Sequence, residues 1–371
     1  INVGGSWSQI KAGNSTAFGV RTNGALFGWG QNTVGQLNIG GTGTDTVARS
    51  SAVQIGANSW TQVSIWNSAI VALRSDNTLY AWGLGTTGQT GDNSAVTKSS
   101  PVLIRSLNFA TTSPVLVTTI GGTVASWTSV SAGQSYSLAI RNDNTLYAWG
   151  LNNLGQLASN DTLNRSSPAQ VSVGGSYSQI KAGNSTAFAI STTGLLYGWG
   201  QQAVGQLNIG GTGTDTLARS AAVQIGSSSW TQVSTWGSNV VAIRSDSIIF
   251  AWGLNTNGTT GDNLTVLRSS PVFVRSINLN TASPTFVQAI TDRSWTSISA
   301  GQSYSLAIKN DSTLYAWGLN TLGQLASNDI VNRSSPTQIS IGGSYSQIKA
   351  ANSTAFAIST TGLLYGWGQQ A

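Results

Sequence analysis

The stretch "LYAWGLNNLGQL" (146–157) decides how this chain is read, because near copies recur as "LFGWGQNTVGQL" (26–37), "LYGWGQQAVGQL" (196–207) and "LYAWGLNTLGQL" (314–325). Trp–Gly pairs begin at Trp29, Trp82, Trp149, Trp199, Trp252, Trp317 and Trp367, with spacings of 53, 67, 50, 53, 65 and 50 residues. A three-unit block of about 170 residues is thus duplicated and then begun a third time. Residues 127–176 and 295–344 agree at 41 of 50 positions, which implies recent duplication.

Within one unit the pattern is that of strands. "WTSVSAG" (127–133), "YSLAIRN" (136–142), "TLYAWGL" (145–151) and "AQVSV" (169–173) are short and rich in β-branched and aromatic residues. Turns such as "RNDNT" and "RSDNT" separate the second strand from the third, and Asn, Asp and Gly tolerate the positive φ of tight hairpins. No helical periodicity persists. The pattern predicts an all-β fold, a seven-bladed β-propeller of four-stranded antiparallel blades in one domain, 1–371. Blade boundaries fall near 7–59, 60–126, 127–176, 177–229, 230–294, 295–344 and 345–371 plus 1–6.

The ends support that count. "INVGGSW" (1–7) matches "ISIGGSY" (339–345), so the N-terminal strand is expected to complete the last blade and leave no open edge. The loop that follows each Trp–Gly pair has no counterpart after Trp367, and a natural continuation past Ala371 is expected. The opening Ile1 likewise implies processing or sequence upstream. Each tryptophan is expected to wedge between neighbouring blades, burying about 200 Å². The glycine beside it lets backbones approach closely.

The phrase "AGQSYSLAI…LYAWGLNNLGQL" (132–157) resembles the regulator of chromosome condensation repeat: a Gly-rich segment, Ala-Leu, a hairpin, aromatic-Ala-Trp-Gly, then Gly-Gln-Leu. The resemblance recurs over nearly the whole chain and implies the same seven-bladed propeller. Members of that family usually carry a His in the Gly-rich segment. Thr16, Ala69, Tyr136, Thr186, Asn239, Tyr304 and Thr354 occupy those positions here. The exchange-factor activity that some members have on a small GTPase therefore transfers to no residue of this chain.

Charge is sparse, at 8% of residues, and locally balanced. Six units carry an Asp followed by a base: Asp45/Arg49, Asp92/Lys98, Asp161/Arg165, Asp215/Arg219, Asp262/Arg268 and Asp329/Arg333. On a propeller these positions form a ring, read as loop-pinning pairs each worth under about 1 kcal/mol. Arg74/Asp76, Arg141/Asp143, Arg244/Asp246 and Lys309/Asp311 flank hairpin turns, and Asp292 adjoins Arg293. The remainder, Lys11, Lys181, Lys349, Arg21, Arg105 and Arg275, accounts for the net charge of +6. Scattered in this way, they form no basic face of the kind nucleic acid requires.

There is no Cys, His or Met, and all eleven acidic residues are Asp. Disulfides and thiolate metal sites are excluded. A neutral-pH acid or base normally comes from His or a shifted carboxylate, and every Asp lies in a turn or loop phrase. Ser15, Ser68, Ser135, Ser185, Ser238, Ser303 and Ser353 share one position in all seven units, but no base accompanies them. No catalytic residue, cofactor or metal site is expected. No run approaches the roughly 18 apolar residues of a membrane helix, so no membrane insertion is expected either.

Units two and five carry extra stretches, 104–126 and 274–294, and replace the usual Ala-Gly by Ile65-Trp66 and Thr235-Trp236. The candidate interaction residues are therefore Trp66, Arg105, Phe109, Trp236, Arg275 and Arg293; for the tryptophans, packing beneath the insertions is the competing reading. The expected function is a non-catalytic structural or adhesive module on a virion, appendage or cell surface. Its partner would be a protein or surface glycan, other copies, or structural proteins of the same assembly. The alternative is a soluble propeller that grips one protein with its loop face, as the similarly built bacterial inhibitor of β-lactamase does; an exchange factor ranks third.

Overall fold

Turn chemistry sets the strand lengths. The structure is a computed structural model and describes residues 5–13, 15–38, 45–104, 126–171, 175–207, 217–274, 294–339, 341 and 343–369. Asn77 and Asn144 both turn at φ 63°, and Ser312 at φ 65°. This left-handed conformation closes a tight hairpin between consecutive strands.

The first unit contains β1 (Trp7–Ala12), β2 (Thr16–Arg21), β3 (Leu26–Gly30) and β4 (Arg49–Gln54). The second has β5 (Trp60–Trp66), β6 (Ala69–Arg74), β7 (Leu79–Gly83) and β8 (Lys98–Leu103). The third has β9 (Trp127–Ala132), β10 (Tyr136–Arg141), β11 (Leu146–Gly150) and β12 (Arg165–Val171). Next come β13 (Tyr177–Ala182), β14 (Thr186–Ser191), β15 (Leu195–Gly200) and the long β16 (Arg219–Trp236). β16 pairs with β15 through its first half and with β17 (Asn239–Arg244) through its second. β18 (Ile249–Gly253) and β19 (Arg268–Phe273) complete that seven-stranded sheet. β20 (Trp295–Ala300), β21 (Tyr304–Lys309), β22 (Leu314–Gly318) and β23 (Arg333–Ile339) form another four-stranded sheet. β24 (Tyr345–Ala350), β25 (Thr354–Ser359) and β26 (Leu364–Gly368) form a three-stranded one. Among the described residues every pairing is antiparallel and no helix occurs. The strand expected from residues 1–6 falls largely on 1–4, outside the described residues.

The fourth strand begins earlier than the sequence pattern predicts, at Arg165 rather than Ala169. Ala148 pairs with Ala169 and Gly150 with Arg165, so Ser166-Ser167-Pro168 form a bulge. Proline cannot donate to a ladder and is accommodated at such a bulge on an outer strand.

The tryptophans of the Trp–Gly pairs tie unit to unit. The indole N–H of Trp82 donates to Gln36 O at 2.8 Å, Trp149 to Gln89 O at 3.0 Å and Trp199 to Gln156 O at 2.7 Å. Trp252, Trp317 and Trp367 repeat this toward Gln206, Thr259 and Gln324. Each bond reaches the Gly-Gln-Leu phrase, or its variant, in the preceding unit. The glycine after each tryptophan turns at positive φ, 106° at Gly150 and 107° at Gly318. A Cβ there would lie 2.5 Å from Ser135 O or 2.6 Å from Ser303 O.

Candidate functional site

Two places gather side chains with something to offer a ligand: a rim between the third and fourth strands, and an axis along the first strands.

At the rim, the Asp and its base pair directly. Lys98–Asp92 is 3.1 Å, Arg165–Asp161 2.6 Å, Arg268–Asp262 2.5 Å and Arg333–Asp329 2.6 Å, and Arg49 pairs with Asp45. Asp215 lies outside the described residues. In three units the pair also grips the backbone between its members. Asp Oδ1 accepts the N–H of Val47, Leu163 and Val331 at 2.8, 3.0 and 3.1 Å. The guanidinium of Arg49, Arg165 or Arg333 donates to the carbonyl of the same residue at 2.8, 3.0 and 3.1 Å. Arg219 likewise donates to Leu217 O at 3.0 Å. From behind, buried Asn32, Asn152 and Asn320 donate to the carbonyls of Asp45, Asp161 and Asp329. The Ser327 hydroxyl, then the Val331 N–H, hold the Asp329 carboxyl below its ordinary pKa.

What the loops between each Asp and its base present is apolar. Val47, Val96, Leu163, Leu217, Val266 and Val331 are 57% to 71% exposed. The loops are also chained along the rim: Asn93 N donates to Ser166 O, Asn160 N to Ser220 O and Asn263 N to Ser334 O, each at 2.8–2.9 Å and each into the next unit.

At the axis, first strands from different units line one cavity of about 190 Å³. One repeat position holds Lys11, Ser64, Ser131, Lys181, Ser234, Ser299 and Lys349. The four serines accept N–H groups of the following unit: Ser64 from Ala132, Ser131 from Ala182, Ser234 from Ala300 and Ser299 from Ala350, at 2.9–3.0 Å. The three lysines line the cavity instead, with Trp66 and Trp236. Burial, then the Lys181 charge, pushes the Lys11 ammonium down to about 7. Burial lowers Lys181 as well, against a hydrogen bond to Lys349. Burial, followed by the charges of Lys181 and Lys11, takes Lys349 well below the usual lysine range.

Of the six residues singled out from sequence, Arg105, Phe109, Arg275 and Arg293 lie outside the described residues. Trp66 and Trp236 are buried and stack on each other, so they are packed inside rather than presented. Lys11, Lys181 and Lys349, scattered in sequence, meet in space, which corrects the picture of six dispersed cations. The serine position common to all seven units works through its carbonyl: Ser135 O accepts Leu151 N at 2.7 Å, for example. Tyr136 and Tyr304, at the family's His position, donate to Thr186 O and Thr354 O of the next unit at 2.7 and 2.6 Å. Sequence reasoning missed the rim tips, although "DTVAR", "DTLNR", "DTLAR" and "DIVNR" place an apolar residue inside each charged pair. It also missed the lysine cluster, whose signal was "QIKA" repeated at 9–12, 179–182 and 347–350.

Comparison with known proteins fits this geometry. Family profiles described as the regulator of chromosome condensation (RCC1) repeat match residues 76–140, 143–190, 246–308 and 311–358, and a second profile of that description matches 7–36, 127–156 and 295–324. The chain belongs to the RCC1-repeat family. This RCC1-repeat chain is 26% identical to the ultraviolet-B receptor UVR8 of Arabidopsis thaliana, over 91% of its own length and 83% of the receptor's. It is 23% identical over 89% of its length to the human E3 ubiquitin-protein ligase HERC2, but spans only 6% of that protein. Among solved structures, human WBSCR16 superposes with a TM-score of 0.77 at 18% identity, covering 100% of this chain and 89% of that one. Prp20p of Saccharomyces cerevisiae, whose binding to Gsp1p and histones is described with its structure, gives 0.73 at 16% identity, covering 98% and 83%. These structures establish an all-β, RCC1-like propeller fold.

Proposed function

We propose that this chain is a non-catalytic docking module: a closed wheel of seven blades, completed by its N-terminal strand, whose rim offers rigid aliphatic tips to a protein partner. The observation that carries this reading is the Asp–Arg clamp. It fixes the N–H and C=O of Val47, Leu163 and Val331 while leaving their side chains in water. A loop ordered before it meets a partner loses little entropy on binding. Near-identical tips in successive units favour a partner with an extended or repeated apolar face, such as other copies or structural proteins of one assembly. RCC1-like Prp20p, with its protein partners, is consistent with such a role.

Closure is supported by contacts between the first and last units. Gln347 Nε2 donates to Ser8 O at 2.5 Å, and Trp29 meets Phe356 edge-on at 6.3 Å. A closed wheel of this length has a radius of gyration of about 21 Å in solution scattering; a clearly larger value means an open spiral. An extracellular, virion or cell-surface setting belongs to the same proposal, supported by a chain of low charge without cysteine. No catalytic step is included, because His, Glu and Cys are absent from the sequence.

The test is panning of a displayed peptide library on the parent protein and on Leu163→Asp/Leu217→Asp/Val331→Asp. Apolar binders that lose at least about tenfold in affinity for the variant, at unchanged melting temperature, support the docking rim. Binders indifferent to the variant remove it. A robust signal in an exchange or β-lactamase inhibition assay at micromolar protein would retire the structural reading.

A further inference from the structure

Lys11, Lys181 and Lys349 line one cavity whose lining holds no acid. The cavity is otherwise lined by neutral groups, among them Gln9, Gln62, Ser131 and Thr235, and by the indoles of Trp66 and Trp236. None of the other lining residues titrates. Lys349 Nζ also lies 5.9 Å from the Trp236 ring centroid, an apolar wall that weakens solvent screening.

The repeats make this arrangement informative. Ser64, Ser131, Ser234 and Ser299 stand at the same position and latch their unit to the next. An ammonium, which has donors only, cannot replace that acceptor. Units one, four and seven therefore give up a latch and set three like charges together in a poorly hydrated site. Both changes disfavour folding unless a counter-charge is present. At about 190 Å³ the cavity is smaller than the roughly 300–1,000 Å³ of drug-sized ligand sites. A polynucleotide or nucleotide is too large for it; a small ion with some water is not.

We propose that the axial cavity binds a small tetrahedral oxyanion, sulfate or inorganic phosphate, through the ammonium groups of Lys11, Lys181 and Lys349. Three converging N–H donors match an anion with several acceptor oxygens, and charge-assisted bonds of this kind are the strong ones. The anion joins the first, fourth and last units, taking over at the axis the role that serine latches play elsewhere. Binding to the folded state alone also stabilises it by mass action.

The experiment is calorimetric titration with sulfate and with inorganic phosphate, against chloride at matched ionic strength. Near pH 6, below the value of about 7 to which Lys11 is lowered, one saturable site is expected. Lys11→Ser/Lys181→Ser/Lys349→Ser installs the residue that sibling units already carry, and is expected to fold and to weaken binding at least about tenfold. Sulfate stays a dianion at higher pH, so at about pH 9, above the value of about 7 to which Lys11 is lowered, its affinity for the unmodified protein falls by at least about tenfold. That arm needs no variant. Absence of a saturable site, unchanged affinity in the triple variant, or pH-independent sulfate binding overturns the proposal.

Discussion

Trp66 and Trp236 stack with ring centroids 4.3 Å apart and planes 29° from parallel, although 170 positions separate them in the chain. Each ends a first strand, β5 or the second half of β16, one repeat block apart. The pair closes the apolar side of the axial cavity between two non-adjacent units. Trp66→Ala removes a buried indole and is expected to cost about 3–5 kcal/mol, read as a lower midpoint in denaturant. A loss below about 1 kcal/mol would mean the stack contributes little.

Ser131→Ala tests the latches. It leaves the Ala182 N–H without its 2.9 Å acceptor in a buried position. Such an orphaned donor costs about 1–3 kcal/mol. Ser8→Ala removes an exposed hydroxyl that bonds only within its own unit, and is expected to cost under about 1 kcal/mol. Equal effects in the two variants would argue against inter-unit latching.

Gly150→Ala probes the close approach beside the tryptophans. At φ 106° an L side chain is strained by about 1–3 kcal/mol, and its Cβ would also press on Ser135 O. Greater loss than this strain alone is expected. Gly175→Ala, also at positive φ but with open space around it, should lose only the strain.

The pH dependence has a definite sign. Burial holds the folded-state Lys11 near 7 against an ordinary value of 10.5. Between these values the unfolded chain binds more protons than the folded one, so stability rises with pH. In chloride buffer the melting temperature is expected to climb from about pH 7 to about pH 9, below the range where ordinary tyrosine titrates. The triple serine variant should flatten that slope. A parent protein whose stability falls across the window contradicts the assignment of the buried lysines.

Much of the architecture was legible in sequence because it repeats. Seven Trp–Gly phrases, Asn and Asp turns and alternating apolar strands fix strand type, order and approximate length. The fourth strand was misjudged by four residues because Ser-Ser-Pro reads as loop. Only the ladder partner of Gly150, Arg165, reveals the bulge. Pairing of Asp161 with Arg165 was likewise readable, since four residues and a turn bring them together. That the same pair grips both ends of the Leu163 peptide was not, because grip depends on guanidinium geometry.

Neighbours within a few residues govern the local order, namely the short strands, their hairpins and the repeat with its family, and so these are written in the chain. Tertiary structure alone decided which distant copies of a residue meet. Lys11, Lys181 and Lys349 share a repeat position that carries serine in the other units, and nothing along the chain says that these three meet, or that Trp66 meets Trp236. Their juxtaposition arises because each repeat turns the chain about a common axis, converting equivalent positions into neighbours across a cavity. Burial there changes the lysines' chemistry through lost hydration and mutual repulsion, quantities that have no expression in a linear chain.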